Sequence, residues 1–114
     1  MHELGIMRQA VQLAISAAES EQAAKVTRIK LEIGALAGVA PSALNFAFDC
    51  VVNGTIAEGA YFEWSEIPVQ CRCENGCPPF HPQDAIYRCP ICEVISTDVI
   101  AGRELQVVEI DVEP

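Results

Sequence analysis

Apolar residues recur at three- and four-residue steps through residues 3–19, as Leu4, Met7, Val11, Ala14, Ile15 and Ala18. That spacing predicts an amphipathic helix with one buried stripe, closed by the polar run Glu19-Ser20-Glu21-Gln22. The period then drops to two. From Val26 to Ile33, Thr27, Ile29, Leu31 and Ile33 alternate with Arg28, Lys30 and Glu32, as in a strand with one wet face. Gly34 and Gly38 loosen the loop that follows. Pro41 opens a second helix at a position where a missing amide hydrogen is harmless. Leu44, Ala47, Phe48 and Val51 are expected on its inner side, and Asn53-Gly54 ends it. Cys50, on the same apolar helix, is expected to pack as a small buried hydrophobe. Ala60 to Ile67 alternates again, with Phe62 and Trp64 opposite Glu63 and Ser65, and Pro68 marks its exit. After Val94 to Ile100 and a turn at Gly102, a last strand sets Val108, Ile110 and Val112 against Glu109, Asp111 and Glu113.

Between these periodic segments lies one that is not periodic. Five of the six cysteines fall between Cys71 and Cys92, in C-R-C-E-N-G-C-P-P-F-H-P-Q-D-A-I-Y-R-C-P-I-C. Two cysteine pairs about a dozen residues apart have the spacing of a four-thiolate, tetrahedral zinc ribbon. Cys89 and Cys92 form the regular half. The other half offers three sulfurs for two places. Cys73 and Cys77 flank Gly76, which permits a tight turn, whereas Cys71 and Cys73 are a poor chelating pair on an extended chain. The reading is therefore Cys73, Cys77, Cys89 and Cys92, with Cys71 as the alternate and His81 able to replace a sulfur. Disulfides suit secreted chains, and Met1-His2-Glu3 does not open like a signal peptide. Four thiolates also suit iron, which spacing does not separate from zinc.

The cysteine segment is too short and polar to build a core, so metal binding must replace burial there. The closing strand has no sheet to join within it and is expected to return to the earlier strands. The fold class is thus α+β, a small sheet of about three strands with two helices and an inserted zinc ribbon. Residues 1–67 and 102–114 make the α/β domain, and 68–101 the ribbon. Sixteen acidic against seven basic residues give a net charge of −9. Such a surface disfavours nucleic acid and anionic membranes, and no apolar run has the length of a membrane span. A cytoplasmic setting is expected. No phosphate-binding G-x-x-x-x-G-K-[ST] loop or G-x-S-x-G elbow is present, which argues against an enzyme.

The amino terminus offers a second metal chemistry. The terminal amine, the His2 amide nitrogen and the His2 Nδ1 close adjoining chelate rings, and the Glu3 amide or carboxylate supplies a further ligand. Several nitrogens in one plane suit nickel(II) or copper(II) rather than zinc.

The opening M-H-E-L-G-I-M, then L-E-I-G-A-L-A-G-V, P-S-A-L-N-F-A-F-D, N-G-T-I-A-E-G-A and the late cysteine pairs together resemble the HypA/HybF family. These are nickel-insertion accessory proteins of [NiFe]-hydrogenase maturation. The resemblance implies a nickel site at His2, with the Met1 amine and Glu3 backbone, and a structural zinc ribbon. It also implies delivery of nickel to the hydrogenase large subunit with a HypB-type GTPase, and in some members to urease. The family has C-x2-C in both halves, and C-R-C-E-N-G-C departs from it, so the first two zinc ligands stay open between Cys71, Cys73 and Cys77. A monomer is expected, with a dimer as the other state. The competing reading is a zinc-ribbon adaptor that binds proteins without carrying nickel.

Overall fold

A computed structural model describes residues 3–114. The chain runs α1 (Glu3–Ser20), β1 (Lys25–Gly34), α2 (Pro41–Val52), β2 (Tyr61–Ile67), β3 (Gln70–Arg72), β4 (Asp98–Ala101) and β5 (Leu105–Glu113). This is the α+β class expected from the alternation between helical and two-residue hydrophobic periods. It divides into two compact units. One joins the chain up to Glu32 to Gly38–Ser65 and Gln106–Pro114, and the other joins Ile33–Ala37 to Glu66–Leu105.

In the first unit the strands lie in the order β2-β1-β5. Ala24 donates its N–H to the Glu113 carbonyl, Arg28 reaches Glu109, and Gln106 reaches Glu32. One number rises as the other falls, so β5 runs antiparallel to β1. Along β1 the buried residues Ile29 and Leu31 alternate with half-buried Arg28, Lys30 and Glu32. One sheet face is therefore apolar and the other is a charged lattice centred on Arg28, as befits a sheet covered on one side only.

The helices supply the cover. Ile6, Met7, Val11, Ala14 and Ala18 of α1 are buried, as are Leu44, Ala47, Phe48 and Val52 of α2. Each fully buried Leu, Phe or Met contributes about 1.5–3 kcal/mol. Phe48 stacks on Phe62 of β2 with ring centroids 4.8 Å apart and planes 20° apart, tying α2 to the sheet. Three sequence expectations shift here. Leu4 is exposed and Ile6 takes its place in the stripe. On α2 the i to i+4 step from Leu44 through Phe48 lands on Val52, leaving Val51 only half-buried. That same stripe turns Cys50 to the outside, so its thiol is exposed rather than packed.

In the second unit β3 and β4 pair antiparallel, Cys71 opposite Val99 and Arg72 opposite Asp98. The residues after β1 are stitched to both ends of this unit. Gly34 donates to the Glu104 carbonyl, Ala35 to Ile67 and Leu36 to Gly102. A side chain on Gly34 would run into the Gly102 carbonyl, which fixes glycine at that position.

Candidate metal centre

Two small closed loops present the sulfurs. In the first, Cys71 and Phe80 exchange backbone hydrogen bonds of 2.8 and 3.0 Å, an antiparallel bridge that holds residues 72–79 as a loop. Gly76 turns the chain inside it with φ +87°, donating its N–H to the Cys73 carbonyl at 3.2 Å. Pro78 and Pro79 lack the N–H a longer ladder would need. In the second, Arg88 bridges Ile95, and the Cys89 N–H donates to the Val94 carbonyl at 2.9 Å. Glu93 closes this turn with φ +66° and its N–H on the Cys89 carbonyl at 3.0 Å.

The two loops bring Cys73, Cys77, Cys89 and Cys92 together, with every sulfur within 4.8 Å of every other. Four thiolates at about 2.3 Å from one tetrahedral zinc stand about 3.8 Å apart. The Cys73 and Cys92 sulfurs are 3.5 Å apart. The donor set, its number and its close spacing suit a tetrahedral zinc.

The thiols are not equivalent. Cys89 is drawn down to about 6, first by the backbone N–H of Cys92 and, after burial has opposed it, by that of Ile91, which lies 3.4 Å from the sulfur. Cys92 is lowered by the backbone N–H of Val94 and by Cys73, with Asn75 Nδ2 donating to it at 3.6 Å. Cys77 is pushed up to about 12, first by burial and then by the sulfurs it faces. Backbone amides aimed at sulfur are what a thiolate–metal cluster uses to spread its charge.

Cys71 is absent from this group. Residues two apart on a strand share a face, but β3 ends at Arg72 and Cys73 has already turned into the loop, so the two sulfurs part. Cys71 is instead wholly buried with Phe80, Cys73 and Cys89, packed against Val69, Tyr87 and Val99. Burial raises its thiol above the ordinary value, partly offset by a hydrogen bond with Ser96. His81 also stands apart, exposed, its Nδ1 2.8 Å from the Val69 carbonyl.

Sequence reading passed over three supporting residues. Ser96, buried, donates its hydroxyl to the Arg72 carbonyl at 2.6 Å and accepts from the Asp98 N–H at 3.1 Å. Phe80 fills the floor of the unit, and Asn75 reaches Cys92. Asn75 sits between two cysteines, a placement that could have flagged it. Ser96 carries no such signal.

Met1 and His2 lie outside the described residues. Glu3 is described, and its carboxylate accepts the Ala40 N–H at 3.1 Å. Of the two ligands Glu3 offers a metal, its side chain is thus already engaged.

The family described as "Hydrogenase/urease nickel incorporation, metallochaperone, hypA" matches residues 1–112. A protein named hydrogenase maturation factor HypA from Picosynechococcus sp. is 40% identical over 112 residues, 98% of this chain and 99% of that one. One of the same name from Geobacter sulfurreducens is 35% identical over 113 residues, 99% of this chain and all of its own. The solution structure of the nickel metallochaperone HypA from Helicobacter pylori superposes with a TM-score of 0.71, covering 99% of this chain and 98% of that one at 21% identity. At that identity it speaks for the fold alone.

Proposed function

Because this chain belongs to the HypA family of hydrogenase/urease nickel-incorporation metallochaperones, we propose that it carries Ni(II) at its amino terminus and hands it to the large subunit of a [NiFe]-hydrogenase. The observation that carries this reading is the family match over residues 1–112, in a chain whose second metal centre is already complete in sulfur. Zinc belongs at Cys73, Cys77, Cys89 and Cys92. Closed tetrahedral thiolate sites hold their metal and serve structure. Nickel, the cargo, is assigned to the Met1 amine, the amide and Nδ1 of His2, and the backbone of Glu3. Those nitrogens suit a square-planar ion, and a partly exposed terminal site releases its metal more readily than a buried cage.

The division of labour follows. Residues 1–67 and 102–114 form the nickel-binding domain and 68–101 the zinc domain. The protein is a carrier rather than an enzyme, works in the cytoplasm, and relies on a HypB-type GTPase for the nucleotide-driven step. Urease is a second recipient within the same family chemistry. The Glu3–Ala40 hydrogen bond anchors the first turn of α1, just after the residues assigned to nickel.

The test is a nickel titration of zinc-loaded protein, comparing the native chain with His2→Ala and with a one-residue amino-terminal extension. Loss of tight nickel binding in both, with zinc retained, is the expected result. Unchanged binding would move nickel away from the terminus and favour a zinc-ribbon adaptor.

A further inference from the structure

β5 is the outer strand of its sheet, nine residues long, and among the described residues nothing pairs with its free edge. Uncovered edges of this length usually carry some device against indiscriminate pairing. Here the device is chemical and asymmetric. Glu109, Asp111 and Glu113 point to the charged face, where the Arg28 guanidinium bonds the first two at 2.8 and 3.4 Å and both carboxylates stay more than half exposed. On the other face, Val108 and Ile110 look onto an open trough of about 190 Å³, whose strand wall also takes in Val107 and Glu109 and whose helix wall is Leu13, Ala14 and Ala17 of α1. Leu13 is 61% exposed although it faces this apolar space, and Val108 and Val112 are each 39% exposed.

An edge with an apolar trough on one side and a row of carboxylates on the other prescribes its complement. A strand added to it places alternate side chains on opposite faces. One set would fill the trough, and the other would stand beside Glu109, Asp111 and Glu113. A second copy of this chain pairing through β5 would bring acid against acid, which is destabilising for directly opposed residues. We propose that β5 is a docking edge for an extended segment of a partner protein in which apolar residues alternate with lysine or arginine, bound as a fourth strand. This goes beyond nickel carriage and does not depend on it, since the edge lies on residues the metal sites do not use.

The test uses zinc-loaded, isotope-labelled full-length protein with three capped seven-residue peptides: alternating valine and lysine, the same composition scrambled, and alternating valine and glutamate. The expected result is slowed amide exchange and shifted resonances along residues 105–113 with the alternating valine–lysine peptide, and at least tenfold weaker binding of the other two. Leu13→Lys, a change at an exposed helix position, should weaken binding at least tenfold. The double variant D111N/E113Q should weaken it at least threefold and flatten its salt dependence. It keeps the question answerable should Leu13→Lys fail to fold. Equal binding of the scrambled peptide, protection elsewhere in the chain, no binding, or concentration-dependent dimerisation through residues 105–113 without peptide would each overturn the proposal.

Discussion

The carboxylate of Glu3, in the first turn of α1, accepts a hydrogen bond from the backbone N–H of Ala40 at 3.1 Å, joining the start of one helix to the entrance of the other. Ala40 precedes α2 with extended φ and ψ and has no side chain that can cap it. Glu3 also lies where a negative charge is favoured by the helix dipole of α1.

Replacing Glu3 by alanine removes both effects and should lower the unfolding free energy by about 1 kcal/mol. Glu3→Gln, which keeps an acceptor, should recover about half. Urea denaturation followed by Trp64 fluorescence measures both. Equal stability of the three proteins would show that the contact contributes nothing.

Removing the metal should undo one unit and spare the other. The second unit has a small core of Cys71, Cys73, Phe80 and Cys89, three of the four being cysteines. Without metal such a module lacks the apolar area to order itself. A strong chelator should therefore collapse the amide protection of residues 70–101 while Trp64 emission and the helical signal persist. Retained protection around Ser96 would mean that the unit folds unaided.

Glu93 adopts φ +66° in the turn after Cys92, a left-handed conformation that non-glycine residues seldom adopt. Glycine takes it freely. Glu93→Gly should stabilise the metal-loaded unit by about 1 kcal/mol, the usual cost of holding a residue there less the added freedom of the unfolded chain. The thermal midpoint of the zinc-loaded protein is the measurement, and a lower midpoint would refute the expectation.

Acid should weaken the charged face of the sheet. Glu109 is held below its ordinary value, chiefly by the Arg28 hydrogen bond and then by the charges of Arg28 and Lys30. A depressed folded value means that the stabilisation is complete above the unfolded glutamate value of about 4.3 and fades as pH falls through the lower folded value. The thermal midpoints of the native protein and of Arg28→Gln, compared from pH 7 to pH 2, should differ at neutrality and converge at the acid end. A constant gap would rule out this pairing as the source.

Much of this fold is legible in the sequence, for a physical reason. Period changes marked both helices and the strands β1, β2 and β5, because a half-buried element must place its apolar residues on one side. Burial on helices was less legible. Which of Val51 and Val52 turns inward depends on how α2 is seated, and with Leu44, Phe48 and Val52 buried in one stripe and Phe48 stacked on Phe62, Cys50 falls outside that stripe. At the centre, Gly76 and the C-P-I-C knuckle pointed to four sulfurs, and those four sulfurs converge. What separates Cys71 from Cys73 is the end of β3 at Arg72, where the Cys71–Phe80 bridge closes the loop. That bridge is a long-range pairing no local pattern encodes.

The stitching of Ala35 to Ile67 and of Leu36 to Gly102 has a consequence in polymer terms. Between β2 and β5 the chain makes an excursion over residues 68–104. While the excursion is ordered, its two ends are held by neighbouring residues of one short segment, so the sheet is closed as if by a tight turn. If it melts, β5 must find β1 from the end of a long floppy loop. Lengthening a loop from about five residues to several tens costs about 2 kcal/mol in closure entropy. A metal bound far out on that excursion thus helps determine how firmly the last strand stays in its sheet, through chain statistics alone.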